Sequence, residues 1–279
     1  MLEIVAHRGA RSLAPENTLA AARLGHALGC HRWETDASLT KDGHVVLHHD
    51  TTLTRCTNAV EKLGYNPDHL EKAIGSVNRI DRIDAHTLTE LKSLEAGSHF
   101  ERTDPFSTVE IIPAETLTAF KHEKIPTLYE GLMLTRELDW QINIELKDHG
   151  NEPTPYHTAS QTLSELARSG IDLDHVVVSS FNHQWLRWVR EHSPNIEIQA
   201  LVGDDDHTPL NFSDPVYTGD EFAVLNINAK LITPEVLSTL KRRGKRINLF
   251  TVNDPDDYAR FVNAGADGII TDFPQRFLR

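Results

Sequence analysis

Cysteine is scarce: Cys30 and Cys56 are the only two in 279 residues. Two thiols cannot build a cysteine zinc site or a disulfide framework, and the sequence does not show whether these two ever pair. Long apolar runs are missing as well, and nothing approaches the roughly 18–20 residues of a membrane span. The N-terminus, MLEIVAHRGARS, lacks the basic and apolar regions of a secretory signal, so a cytoplasmic location is expected. Basic charge is in deficit. Against 41 Asp plus Glu stand 28 Lys plus Arg, a formal net charge of −13. Bulk charge therefore argues against nucleic acid and against stable membrane association, and an anionic substrate would need local cations or a metal. There is no serine-nucleophile elbow, GxGxxG or P-loop, and no fixed-period repeat.

What remains is ordinary globular composition with a rhythm. Eight short apolar runs stand out, at 2–6, 32–37, 142–146, 175–179, 197–202, 222–227, 247–252 and 268–271. They are too short and too continuous for amphipathic helices and suit strands buried on both faces. Helical patterns alternate with them, at 17–28, 155–167, 182–191, 234–242 and 255–264, the last two with Pro in the first turn. Alternation of this kind implies a parallel sheet, and eight strands in one chain point to a (β/α)₈ TIM barrel. The Asp- and Pro-rich link 203–221 reads as loop, so no clear helix is expected there. Residues 51–124 break the rhythm. They read as a small inserted subdomain between the second strand and its helix, which starts at 126–134, and they hold one short helix at 87–93. The whole of 1–279 is then a single catalytic domain.

Reactive groups in such a barrel sit where strands end. Glu34 and Asp36 are two apart on a strand and face one side. Two carboxylates so close need neutralising, and a divalent cation with oxygen ligands does this; Glu145 on the next strand is a natural third ligand. Lys147 repeats the spacing beside Glu145, and Arg8 offers a planar fork suited to phosphate or carboxylate. Either could equally be a structural ion pair. Among 16 histidines, His7 at a strand end and His49 in VVLHHD are distinctive. Alternation would put His48 and His49 on opposite faces and does not say which points inward. A histidine pair beside a metal suits acid/base work near neutral pH.

Several blocks resemble the glycerophosphodiester phosphodiesterase family, in particular its bacterial cytoplasmic type. They are HRGARSLAPENT (7–18), WETDASLTKDGHVVLHHD (33–50), TLTRCT (52–57), EKIPTLYEGL (123–132), INIELK (142–147), VVVSSFN (176–182), FTVND (250–254) and GADGIITDFP (265–274). The resemblance implies a (β/α)₈ barrel with an insertion after strand two. It implies a phosphoric diester hydrolase that releases glycerol 3-phosphate and an alcohol. It implies one divalent cation, Mg²⁺ or Ca²⁺ with Mn²⁺ as a further option, on Glu34, Asp36 and Glu145. His7 and His49 match the acid/base pair, which resolves the His48 question in favour of His49. Arg8 and Lys147 match phosphate contacts, Glu16 a polar substrate-side or supporting position, and Phe181 an aromatic wall of the pocket. Phe250 departs from the pattern, because many members have Trp there, and this puts substrate preference in question. The expected partner is a small glycerophosphodiester; a homo-oligomer is neither required nor excluded.

A mechanism compatible with these residues has the substrate's glycerol 2-hydroxyl attack phosphorus, giving a cyclic phosphate that water then opens. A lysophospholipase D-type phosphodiesterase on the same barrel is the alternative, but no basic amphipathic helix or aromatic cluster argues for lipid contact. A non-catalytic binding barrel should have lost at least one of Glu34, Asp36, Glu145, His7 or His49, and all five are present. A sugar isomerase would have less use for Arg and Lys.

Overall fold

The β-branched and apolar runs do pair side by side. Nine strands form among the residues described in the computed structural model, 2–66 and 79–278. Eight are parallel: β1 (Glu3–Ala6), β2 (Arg32–Leu39), β4 (Ile142–Leu146), β5 (Val176–Ser180), β6 (Glu197–Val202), β7 (Val224–Asn228), β8 (Arg246–Phe250) and β9 (Gly268–Thr271). Each lies beside the next, and β1 pairs with both β9 and β2, which closes the barrel. The architecture is the expected (β/α)₈ barrel.

β3 (Val45–Leu47) is an addition to it and runs antiparallel to β2. It ends at Leu47, so strand alternation never reaches His48 and His49. Their directions are set by the loop that follows.

Helices cover the outside. The principal ones are α1 (Leu19–Ala27), α6 (Leu128–Glu137), α7 (His157–Ser169), α8 (His183–His192), α10 (Pro234–Arg242) and α11 (Pro255–Asn263). Their starts are set locally. Thr18 Oγ1 accepts the Ala21 N–H of α1, and Thr127 with Glu130 forms a capping box on α6. Between barrel and helices lies the main core, with Trp33, Trp140, Leu132, Leu186, Leu237 and Phe261 buried. The 203–221 link holds one turn of helix, α9 (Pro215–Thr218), begun by an Asp214 cap, and is otherwise irregular.

The described part of 51–124 holds more helix than the sequence suggested. The expected helix appears as α3 (Leu88–Ser93); α2 (Ala59–Lys62), α4 (Ser98–Thr103) and α5 (Ala114–Phe120) accompany it. Each is too short to show a helical period. Two small apolar clusters hold the segment. Leu53, Ile83, Leu91 and Leu94 gather with Val46 of β3, and Phe100, Leu117 and Phe120 pack on Ala21 of α1. No helix among the described residues is long and apolar enough to cross a membrane. Both cysteines are buried and free, so they do not pair here.

The turn after β1 is tight. Arg8 and Gly9 both have positive φ, 55° and 79°. A Cβ on Gly9 would lie 2.6 Å from backbone carbon of Ala21 in α1. Gly9→Ala should therefore cost about 2–4 kcal/mol of stability, read as a fall in the urea midpoint at unchanged slope. A midpoint within error of wild type would contradict the close approach.

Candidate active site

Register brings the acids together. β2 and β4 are paired with Asp36 opposite Glu145, and Glu34 is two residues before Asp36 on the same face. Glu34, Asp36 and Glu145 each place a carboxylate oxygen within 4.8 Å of the others. Glu34 and Asp36 are 3% and 0% exposed, yet Glu34 Oε1 and Asp36 Oδ1 have no hydrogen-bond partner among the described residues. Buried carboxylate oxygens left bare are costly unless a cation takes them. Three hard oxygen donors around one point fit a divalent ion with open positions for substrate.

Electrostatics tell the same story. Burial, then Asp36 and Glu145, push the Glu34 carboxyl well above its ordinary range. Burial also raises Glu145, with Asp36 adding to it against the opposing pull of Lys147. Asp36 is buried too, but the charges of His49, Arg8 and Lys147 and a hydrogen bond from Asn17 hold it below the carboxylate range. Asn17 Nδ2 donates to Asp36 Oδ2 at 2.8 Å, and Thr35 Oγ1 donates to Asn17 Oδ1 at 2.7 Å, which fixes the amide's orientation.

Arg8 and Lys147 flank the acids. The Arg8 backbone N–H donates to Glu34 Oε2 at 2.9 Å, and its Nε lies 3.2 Å from Asp36 Oδ2. Lys147 follows the end of β4; its Nζ donates to Glu145 Oε1 at 2.7 Å and lies 3.7 Å from Asp36 Oδ1.

Each predicted histidine is held by a carboxylate. The His7 Nδ1–H donates to Asp272 Oδ1 at 2.6 Å, because a carboxylate only accepts, and Nε2 is 3.9 Å from Glu34 Oε2. Burial, with the charges of Arg11 and Arg8, pushes His7 down to about 4 despite Asp272. His49 Nδ1 lies 2.7 Å from Asp50 Oδ1. The neighbouring His48 faces elsewhere, with Nε2 3.0 Å from the Thr52 carbonyl oxygen. Phe181 and Phe250 meet edge to face at 6.0 Å. A cavity of about 790 Å³ opens from Glu145 and Lys147 past Phe181 toward Asn182, Arg187 and Asp204.

Sequence reasoning singled out ten residues for the site. The structure brings Glu34, Asp36 and Glu145 together with His7, Arg8, Lys147 and His49 around them. Glu16 pairs with arginines, and the two phenylalanines form one wall of contact. Missed were the groups that hold the others: Asp272 and Arg11 behind His7, Asp50 and Arg55 behind His49, Asn17 behind Asp36, and Asn253, whose Nδ2 donates to Asp272 Oδ2 at 2.7 Å. Asp272 and Asn253, both just past the ends of strands, were the visible signals among them.

Residues 7–276 match the model of the glycerophosphoryl diester phosphodiesterase family. The chain belongs to that family. Among curated proteins it is 30% identical to a glycerophosphodiester phosphodiesterase of Caldanaerobacter subterraneus over 99% of this chain and 96% of the relative. It is 31% identical to one of Bacillus altitudinis, over 100% and 98% of the two chains. Among solved structures, an Oleispira antarctica phosphodiesterase in complex with the product sn-glycerol-3-phosphate superposes with a TM-score of 0.77. That match has 26% identity and covers 98% of this chain and 94% of that one. The protein is thus a phosphodiesterase of the phosphoric diester hydrolase class, and the activity the family and these relatives support is that of a glycerophosphodiester phosphodiesterase.

Proposed function

We propose that the chain hydrolyses small glycerophosphodiesters to glycerol 3-phosphate and an alcohol, with Glu34, Asp36 and Glu145 holding one divalent cation, Mg²⁺, Ca²⁺ or Mn²⁺, and His7 and His49 moving the protons. The observation that carries this is the trio of converging carboxylates, two of them buried with an oxygen that has no hydrogen-bond partner among the described residues, flanked by two histidines whose Nδ1 atoms are already taken. A cation bound there supplies Lewis acidity toward phosphate and hydroxyl oxygens.

The chain's own groups supply the rest. One histidine Nε2 accepts the proton of the glycerol 2-hydroxyl as that oxygen attacks phosphorus. The other donates a proton to the alcohol oxygen as its P–O bond breaks. The resulting cyclic phosphate is opened by water with the two roles exchanged. Arg8 and Lys147 offset the negative charge that builds on the phosphoryl oxygens. Phe181 and Phe250 form the apolar wall of the substrate site, and the polar cavity beyond them gives a small, hydrated alcohol its way out. That lining is mostly polar, so a lysophospholipid with its acyl chain is a poorer fit. The whole of 1–279 acts as one catalytic domain, and residues 51–124 contribute Arg55 to the mouth.

The test is glycerol 3-phosphate release from glycerophosphocholine by purified protein, first with EDTA and then with Mg²⁺, Mn²⁺ or Ca²⁺ restored. Release should vanish with chelation and return with at least one ion. Release unaffected by EDTA would defeat the metal assignment. An analogue lacking the 2-hydroxyl should not turn over, and its hydrolysis would rule out the cyclic route.

A further inference from the structure

Glu16 lies between the two histidine assemblies with every acceptor direction used. Its Oε1 accepts from Arg8 Nη1 at 2.8 Å and Arg55 Nη2 at 2.7 Å. Its Oε2 accepts from Arg55 Nη1 at 2.9 Å and, more weakly, from Arg11 Nη1 at 3.5 Å. A carboxylate offers about four lone-pair sites, so none is left for a substrate hydroxyl. The side chain is 8% exposed. Burial works to raise its carboxyl, but the three guanidinium groups hold it charged, well below its ordinary range.

Two of those arginines lead onward. Arg11 turns Nε and Nη2 onto the two oxygens of Asp272, at 2.5 and 3.1 Å, and Asp272 is the partner of His7 Nδ1. Arg55 turns Nε and Nη2 onto the two oxygens of Asp50, at 2.6 and 2.9 Å, and Asp50 is the partner of His49 Nδ1. The same Asp–Arg pairing therefore stands behind both histidines, and both copies end on one buried carboxylate.

We propose that Glu16 is a positioning residue that sets both imidazoles together: by anchoring Arg11 and Arg55 it fixes Asp272 and Asp50, which keep a proton on Nδ1 of His7 and His49 and leave each Nε2 to the substrate. The inference rests on the proton-transfer roles given to those histidines above. Neutral imidazole has two tautomers, and the group bonded to one nitrogen selects between them. A bidentate arginine stops the aspartate from swinging away. With Glu16 neutralised, the three guanidinium groups lose the one counter-charge they share; Arg8 keeps Asp36, Arg11 keeps Asp272 and Arg55 keeps Asp50, but the charge that ties Arg11 and Arg55 to one point is gone and their repulsion displaces both aspartates.

The experiment is ¹⁵N NMR of histidine-labelled protein without substrate, with the two rings assigned from His7→Gln and His49→Gln. In the wild type both rings should show the Nδ1–H tautomer. Glu16→Gln should shift both rings together, while Asp272→Asn moves His7 alone and Asp50→Asn moves His49 alone. Kinetically, Glu16→Gln should lower kcat about 10–100-fold with KM changed less than about threefold. Unmoved rings in Glu16→Gln, or a change carried mainly in KM, would overturn the proposal, the latter by making Glu16 a substrate contact. Should Glu16→Gln fail to fold, Arg55→Met at a half-exposed position takes its place; the His49 ring must then shift and the His7 ring must not. Ring tautomers are read without turnover. If His7→Ala and His49→Ala left the reaction rate intact, the proton-transfer roles would fall while the tautomer result stood by itself.

Discussion

Replacing His7 or His49 by alanine should each lower kcat on glycerophosphocholine by about 10²–10⁴-fold, the range that general acid/base catalysis contributes. KM should stay near the wild-type value, because neither ring is needed to hold the phosphate. The two losses should not add. In the proposed mechanism each half-reaction uses both rings in opposite senses, so removing one would already disable the relay and the double variant should fall little further. The geometry supports this. Nδ1 of both rings is engaged by a carboxylate, leaving Nε2 as the working nitrogen, and His7 Nε2 lies 3.9 Å from Glu34 Oε2 at the acid cluster. His48→Ala is the control. That ring bonds the Thr52 carbonyl oxygen and should affect stability more than chemistry. A His7→Ala or His49→Ala protein with near-wild-type kcat would remove that histidine from the mechanism.

The barrel and its trio of converging acids were legible in the sequence for the same reason. Parallel strands buried on both faces are written as unbroken apolar runs, and polar residues at their ends interrupt those runs visibly. Glu34 and Asp36 were readable from the period of two. Pairing of β2 with β4 then followed from chain order once 51–124 was recognised as an insertion. The supporting groups were not legible. His7 and Asp272 are 265 positions apart, and Arg11 and Asp272 are 261 apart. No local period links such pairs; barrel closure between β1 and β9 brings them together. The choice between His48 and His49 came from the family resemblance and could not be read from alternation, for a different reason. It depends on where β3 stops, and an end set by one residue is not encoded in alternation. The short helices of the insertion escaped because four to seven residues cannot display a helical face.

Glu34→Gln should separate function from stability. Turnover should fall at least about 10³-fold, since one of the three proposed cation ligands is lost and the stabilisation of phosphoryl charge that the ion would supply goes with it. The chelated protein should nevertheless melt higher than chelated wild type. Glu34 is buried against two other carboxylates, and its Oε1 has no hydrogen-bond partner among the described residues. A glutamine keeps an acceptor for the Arg8 backbone N–H, which donates to Glu34 Oε2 at 2.9 Å. It also turns an NH₂ toward Asp36 and Glu145, so repulsion becomes hydrogen bonding. A gain of about 1 kcal/mol would raise Tm by about 2–4 °C in a protein of this size. Wild type should recover the difference when Mg²⁺ or Ca²⁺ is added, by the mass action of a ligand that binds only the folded state, and the variant should respond little. Asp36→Asn should behave otherwise. Asp36 already has Arg8, Lys147 and Asn17 as partners, so losing its charge removes one of the two counter-charges of each cation and should lower Tm in the chelated protein. Opposite shifts at two ligands of one ion are what a built cation site predicts, because the acid whose neighbours compensate its charge least is the one whose charge the ion must balance. Equal destabilisation by both substitutions, with an unchanged response to added metal, would show that the three carboxylates do not hold the ion together.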